Sequence, residues 1–168
     1  MIEQAKTGES KKKHNIYTTA ETLRSSNKNT HDFVIAVGKF IHKHLKSFNK
    51  LYKTKNILES RFTSPENAFD KGMSSCGALT NISAAMLRST GVKIRLIHGT
   101  HKKSRNHAWI SVFEPEKEKW IQYDFTNSRD NNYSPDPDHK IKTTCNDWEE
   151  IRSLIEEEHR AWLDAKKD

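Results

Sequence analysis

The sequence predicts an α+β fold, in which a central helix beginning at Cys76 packs on a small antiparallel sheet between N- and C-terminal helices. Three observations predict it. Phe33, Val34, Val37, Phe40, Ile41, His44, Leu45 and Phe48 recur at three- and four-residue spacing, the period of a helix with one apolar face. Over 92–97 and 107–113 the period changes to two, as in half-buried strands, and a third strand follows over 120–125. Trp148, Ile151, Leu154, Ile155 and Trp162 then return to the helical period.

The elements follow in chain order. Residues 1–30 are rich in Lys, Ser, Thr, Asn and Glu and read as a polar, basic, flexible arm, with one short helix allowed by the capping-box spacing of Thr18-Thr19-Ala20-Glu21. Residues 31–168 read as a single domain. Its first helix starts near Thr30 or Asp32 and runs to about Phe48, with Lys39, Lys43, Lys46 and Lys50 turned outward. Residues 49–63 form a connection whose Leu51, Tyr52, Ile57, Leu58 and Phe62 tuck onto the domain. Ser64 caps a short helix with Pro65 at its first position and Glu66 at its positive end. The central helix runs from Cys76 to near Thr90, with Gly91 as its stop. Its Gly77, Ala78, Ser83 and Ala84 allow a strand to approach closely. Residues 98–106 read as a loop or hairpin connection and 127–139 as a surface loop, and Asp147 caps the last helix, to about Lys166.

Composition narrows the function classes. A chain of 168 residues fits one domain with a real core. No apolar run reaches the roughly 18 residues of a membrane span. Lys11, Lys12 and Lys13 have no apolar core behind them, so no secretory signal is expected. The net charge of +7 arises within residues 1–60, where 12 Lys and Arg face 5 Asp and Glu; the remainder holds 17 of each. A solvated arm and lysine face is the favoured reading, and an acidic partner or nucleic acid is the alternative. Two cysteines make no disulfide framework. Reduced thiols in a cytoplasm-like compartment are expected, with a Cys76–Cys145 bridge as the competing structural reading.

Cys76, His107 and Asp124 are the candidate catalytic residues. A thiol reacts as thiolate, and a helix N-terminus with a neighbouring imidazolium favours that form. His107 lies 31 residues after Cys76 on a separate strand, and Asp124 a further 17 on. If the strands pair about the middle of the 114–119 turn, residue numbers summing to about 233 face each other. That sets His107 against residue 125 or 126, within about a residue of Asp124, whose carboxylate would orient the imidazole.

These residues resemble the core of the transglutaminase-like superfamily, a papain-related fold that uses Cys, His and Asp in this order. The resemblance rests on the Cys at a helix start, Gly91-Val92-Lys93-Ile94-Arg95 against the family's Gly-Ile-Pro-Ala-Arg, His107-Ala108-Trp109 against His-Ala-Trp, and Trp120 followed by Asp124-Phe125-Thr126 against Asp-Pro-Thr. Ser74 stands where the family usually has Gly, and Phe125 replaces the proline. The resemblance implies acyl transfer from, or hydrolysis of, an amide in a peptide or protein substrate, with Cys76 as nucleophile, His107 as proton shuttle and Asp124 as orienter. The Cys76 amide would be one oxyanion donor. A non-catalytic protein-binding module of the same fold is the alternative.

A zinc reading drawn from His98, His101 and His107 with Cys145 or His139 has irregular spacing and no Cys-x-x-Cys pair. No metal and no cofactor are therefore assigned. The His42 and His44 imidazoles receive no role.

Overall fold

The computed structural model describes residues 15–102, 104–127 and 132–167. It is a mixed α+β structure in which helices flank one four-stranded antiparallel sheet. The helices are α1 (Ile16–Ser26), α2 (Thr30–Leu45), α3 (Ile57–Phe62), α4 (Pro65–Asp70), α5 (Cys76–Arg88) and α6 (Arg152–Asp164). The strands are β1 (Ile94–His101), β2 (Ser104–Glu114), β3 (Lys119–Tyr123) and β4 (Lys140–Cys145), in the order β3-β2-β1-β4. No described helix is long and apolar enough to cross a membrane.

Local signals account for most helix starts. Asn15, Asn29, Asn56 and Ser64 each accept a backbone N–H through the side chain, and Pro65 opens α4. The apolar face of α2 buries Phe33, Val34, Val37, Ile41 and Leu45, leaving Lys39, Lys43 and Lys46 exposed. α5 lies at the centre, with Ala78, Leu79, Ile82, Ala84, Met86 and Leu87 in the core against Ala108, Ile110 and Val112 of β2.

The β2–β3 pairing is Ile110↔Tyr123 and Ser111↔Gln122, so opposed residue numbers sum to 233 as the turn geometry requires. A single-residue slip would turn every side chain of β3 to the other face. The register therefore decides which side of the sheet the residues after Tyr123 approach.

Four expectations change. Residues 1–14 lie outside the described residues, but 16–26 are not a loose arm. They form α1, capped by Asn15 rather than Thr18, with Ile16 and Ala20 buried in the core. The connection over 49–63 contains α3. β1 begins two residues after Val92 and runs through His98 to His101, replacing the expected loop with a close hairpin in which Lys102 takes a left-handed φ of 50°. Finally, β4 pairs with β1 through Leu96↔Cys145 and His98↔Thr143, so Cys145 lies in a strand, not a turn. In the last two cases, pairing with neighbouring strands supplies the stabilisation that the polar local sequence does not advertise.

Candidate active site

Cys76 opens α5, where helix amides converge. Ser75 makes no side-chain cap; instead, Ser60 Oγ of α3 accepts the Gly77 N–H at 3.1 Å and bonds to Ser75 Oγ at 3.0 Å. This joins α3 to the start of α5. A Cβ on Gly77 would lie 2.5 Å from the Ser60 carbonyl oxygen, so only glycine permits the approach. It also brings Arg61, almost wholly buried, against the thiol: Nη1 stands 3.5 Å from Cys76 Sγ. The guanidinium lies over the Trp148 ring, 4.9 Å from its centroid. Nη2 donates to Asn106 Oδ1 at 2.9 Å, and Asn106 Nδ2 donates to Glu158 Oε2 of α6 at 2.8 Å.

His107 enters from β2 close enough to Cys76 for each to shift the ionisation of the other. Its Nε2 lies 2.8 Å from Asp124 Oδ2, leaving Nδ1 as the ring atom for sulfur. Asp124, immediately after β3, is 1% exposed. Its Oδ1 accepts from the Thr126 amide at 2.9 Å and hydroxyl at 2.6 Å. The following turn is held from α2, where His42 Nε2 contacts the Phe125 carbonyl at 2.8 Å. Phe125, in place of the family's proline, fills core between Tyr133 and Gly38, where a Cβ would come within 2.7 Å of its ring. Trp109 donates from Nε1 to Gln122 Oε1 at 2.8 Å, and its ring walls His107 at 5.6 Å between centroids.

These contacts separate charge at the site. Burial pushes the Cys76 thiol up, but the Arg61 charge and then the His107 hydrogen bond outweigh it and bring it to about 6. Burial lowers His107, yet its bonds to Asp124 and Cys76 raise it to about 9. Burial raises Asp124, and the His107 and Thr126 bonds hold it down at about 2. The directions of these shifts favour a thiolate, an imidazolium and a carboxylate in sequence at neutral pH. Cys145 is the opposite case: burial, with Glu150 and Asp147 nearby, pushes its thiol up to about 12. Both cysteines are free, so no bridge ties Cys76 to Cys145.

The structure thus brings Cys76, His107 and Asp124 together. It divides the histidines of the zinc reading. His98 is fully buried against Glu158 at 3.0 Å, and Cys145 sits on β4, whereas His101, His107 and His139 cluster at the carboxylate end. Sequence reasoning missed two neighbours. Arg61 carries no motif, being one arginine among the apolar residues of α3. His139 was visible only as a possible ligand, yet its Nε2 lies 2.8 Å from Asp124 Oδ2.

The profile of the transglutaminase-like superfamily matches residues 17–125. The chain belongs to the transglutaminase-like superfamily. That match begins inside α1 and ends one residue past Asp124, spanning all three candidate residues. No curated protein matches the chain in sequence. Among solved structures, the fold is similar to a protein of Cytophaga hutchinsonii described as a candidate cysteine protease, with TM-score 0.58 and 17% identity over 80% of this chain. It is also similar to EGTA-treated LapG of Legionella pneumophila, with TM-score 0.54 and 20% identity over 78% of this chain and 72% of LapG. A TGase structure matches with TM-score 0.51 and 15% identity over 68% of this chain and 31% of its own. The chain spans 43% of the length of the Cytophaga protein. At these identities the likeness is one of fold.

Proposed function

We propose that this transglutaminase-like chain is a cysteine enzyme that transfers or hydrolyses the acyl group of an amide in a peptide or protein substrate. The observation that supports it is the Arg61 guanidinium 3.5 Å from Cys76 Sγ on one side of the thiol, with His107, held 2.8 Å from Asp124, shifting its ionisation from the other. A buried cation beside a thiol at a helix start has little purpose in a fold that only packs, since burying the charge is costly without a charged partner.

In the proposed reaction, the Cys76 thiolate attacks the amide carbon, and the carbonyl π electrons move to oxygen. The Gly77 amide is committed to Ser60, so the oxyanion takes the N–H of Cys76 itself. His107 gives its Nδ1 proton to the leaving amine as the C–N bond breaks, which leaves a thioester and a neutral imidazole. Water or a primary amine then loses a proton to His107 as it adds to the thioester. That proton restores the imidazolium, and collapse expels the Cys76 thiolate. Asp124 keeps the ring in the correct tautomer and offsets its charge throughout. Its loss costs less than that of Cys76, because it orients the ring rather than forming the bond.

Site-resolved iodoacetamide labelling tests the reading, with buried Cys145 as internal reference. Cys76 is expected to react well below the ordinary thiol range near pH 8.5, and His107→Ala to abolish the advantage. Two cysteines with ordinary profiles would leave the fold as a non-catalytic binding module. A glutamine peptide, with and without a primary amine, then separates transfer from hydrolysis by whether the product carries the amine.

A further inference from the structure

We propose that His101, His107 and His139, with Asp124 beside them, form a site for a divalent transition metal of the Zn2+ class. The bound ion would take the place of the His107 Nε2 proton that now faces Asp124. The inference goes beyond the acyl-transfer reading and rests on the imidazole geometry alone.

The three residues offer ring nitrogens that all lie within 4.8 Å of one another. Their ring centroids are 4.3 Å apart for His101 and His139, 5.2 Å for His107 and His139, and 5.3 Å for His101 and His107. A tetrahedral ion with Zn–N bonds of about 2.0–2.1 Å holds its ligand atoms about 3.4 Å apart. Closing from the observed spacing is a side-chain adjustment. The side chain of His101 is 24% exposed and has room to make it, whereas those of His107 and His139, at 8% and 3%, form the inner wall.

One residue orients two of the rings from behind. Asp136 Oδ2 lies 3.0 Å from His101 Nε2, and the Asp136 backbone oxygen lies 3.0 Å from His139 Nδ1. Each contact needs an N–H donor, so Nδ1 of His101 and Nε2 of His139 are the ring atoms not committed to Asp136. A carboxylate or carbonyl behind each imidazole is the outer-shell arrangement that fixes the tautomer of a ligating histidine.

The hydrogen count at His139 points the same way. A neutral imidazole has one N–H. If Nδ1 donates to the Asp136 carbonyl, the Nε2 lone pair faces Asp124 Oδ2 at 2.8 Å. Two lone pairs at that distance repel unless a cation is shared between them, and either a second proton or a metal ion can be that cation. Asp124 Oδ2, equally close to His107 Nε2, is the natural fourth ligand. Three imidazoles and one carboxylate suit Zn2+, Co2+, Ni2+ or Cu2+, not Ca2+ or Mg2+, which take oxygen shells. A metal on His107 Nε2 replaces the proton that faces Asp124, so the ring no longer carries both N–H groups of an imidazolium while Nδ1 still faces Cys76.

The test uses metal-free Cys76→Ala protein, which removes the thiol as a rival ligand and makes the readout independent of activity. Co2+ is titrated by its visible absorption and then displaced by Zn2+. One ion per chain is expected, with affinity at least tenfold weaker after His101→Gln or His139→Gln and unchanged after His159→Gln on α6. Equal affinity in the His101 and His139 variants overturns the site. So does uptake by the wild type that disappears in Cys76→Ala, which would assign the ion to the thiol. A second arm needs no histidine substitution: Zn2+ should shield His101 and His139 from diethyl pyrocarbonate in the Cys76→Ala protein, read residue by residue by mass spectrometry, and unshielded rings refute the proposal. Iodoacetamide labelling in EDTA reports on the catalytic reading separately.

Discussion

Replacing Arg61 with methionine removes a charge while keeping an unbranched side chain to pack against Trp148. The guanidinium stands 3.5 Å from Cys76 Sγ. At that separation two unit charges attract by roughly 4–5 kcal/mol at an effective dielectric of about 20. After solvent and protein relaxation, an opposite charge at such range moves a neighbouring acid's midpoint by about one to three pH units. Taking about two, the Cys76 thiol would rise from about 6 to roughly 8 in Arg61→Met. At pH 7 its thiolate fraction would then fall from roughly nine-tenths to roughly one-tenth. Iodoacetamide labelling at pH 7 should therefore slow about tenfold, and by little at pH 10, where both forms are ionised. The assay is site-resolved labelling from pH 4.5 to 10 in EDTA, with circular dichroism to confirm the fold. A variant profile that overlays the wild type would refute the claim that Arg61 holds the thiolate.

The pH dependence has two edges. Cys76 lies below the ordinary thiol value, so its ionised form contributes stability that is present above that value and lost as pH falls through about 6. His107 lies above its ordinary value, so its contribution is full at lower pH and lost as pH rises through about 9. Turnover of an amide substrate should be flat between those limits and fall on either side; an optimum confined to alkaline pH would contradict the ion pair. Gly77→Ala sets a methyl 2.4 Å from Ser60 Oγ and 2.6 Å from Arg61 Nη1. It should cost roughly 1–3 kcal/mol in thermal unfolding and also slow labelling, whereas an unchanged melt would mean that α3 and α5 can separate freely. Ile16→Ala, which empties a buried position in α1, should cost about 2–5 kcal/mol in urea unfolding; no loss would return residues 16–26 to the status of an arm.

The parts of the fold legible in the sequence are those specified by neighbouring residues. Helical periodicity marks α2 and Ser64-Pro65 marks α4; Asp147 accepts the Glu149 and Glu150 amides, but it caps a 3-10 turn over Trp148–Ile151 and the last helix begins only at Arg152. The short turn between β2 and β3 leaves little choice of register, which is why the approach of His107 to Asp124 could be anticipated from residue numbers. The polar strands were less legible. His98 to His101 and Lys140 to Cys145 have little apolar alternation, and pairing with each other across β1 and β4 makes them strands.

By itself, the sequence determined the fold class and the family motif and put forward Cys76, His107 and Asp124, because caps, periods and turn lengths are properties of contiguous residues. Only the tertiary structure decided what surrounds them. Arg61 acquires its place from Cys76, 15 residues away, and from Asn106, 45 away. His139 meets Asp124 only in the folded chain, where β4 pairs with β1 at the opposite edge of the sheet from β3 and the residue before it lies 2.8 Å from the carboxylate. Charge at a thiol depends on separations of a few ångströms between chain-distant groups, and such separations exist only once the core has packed.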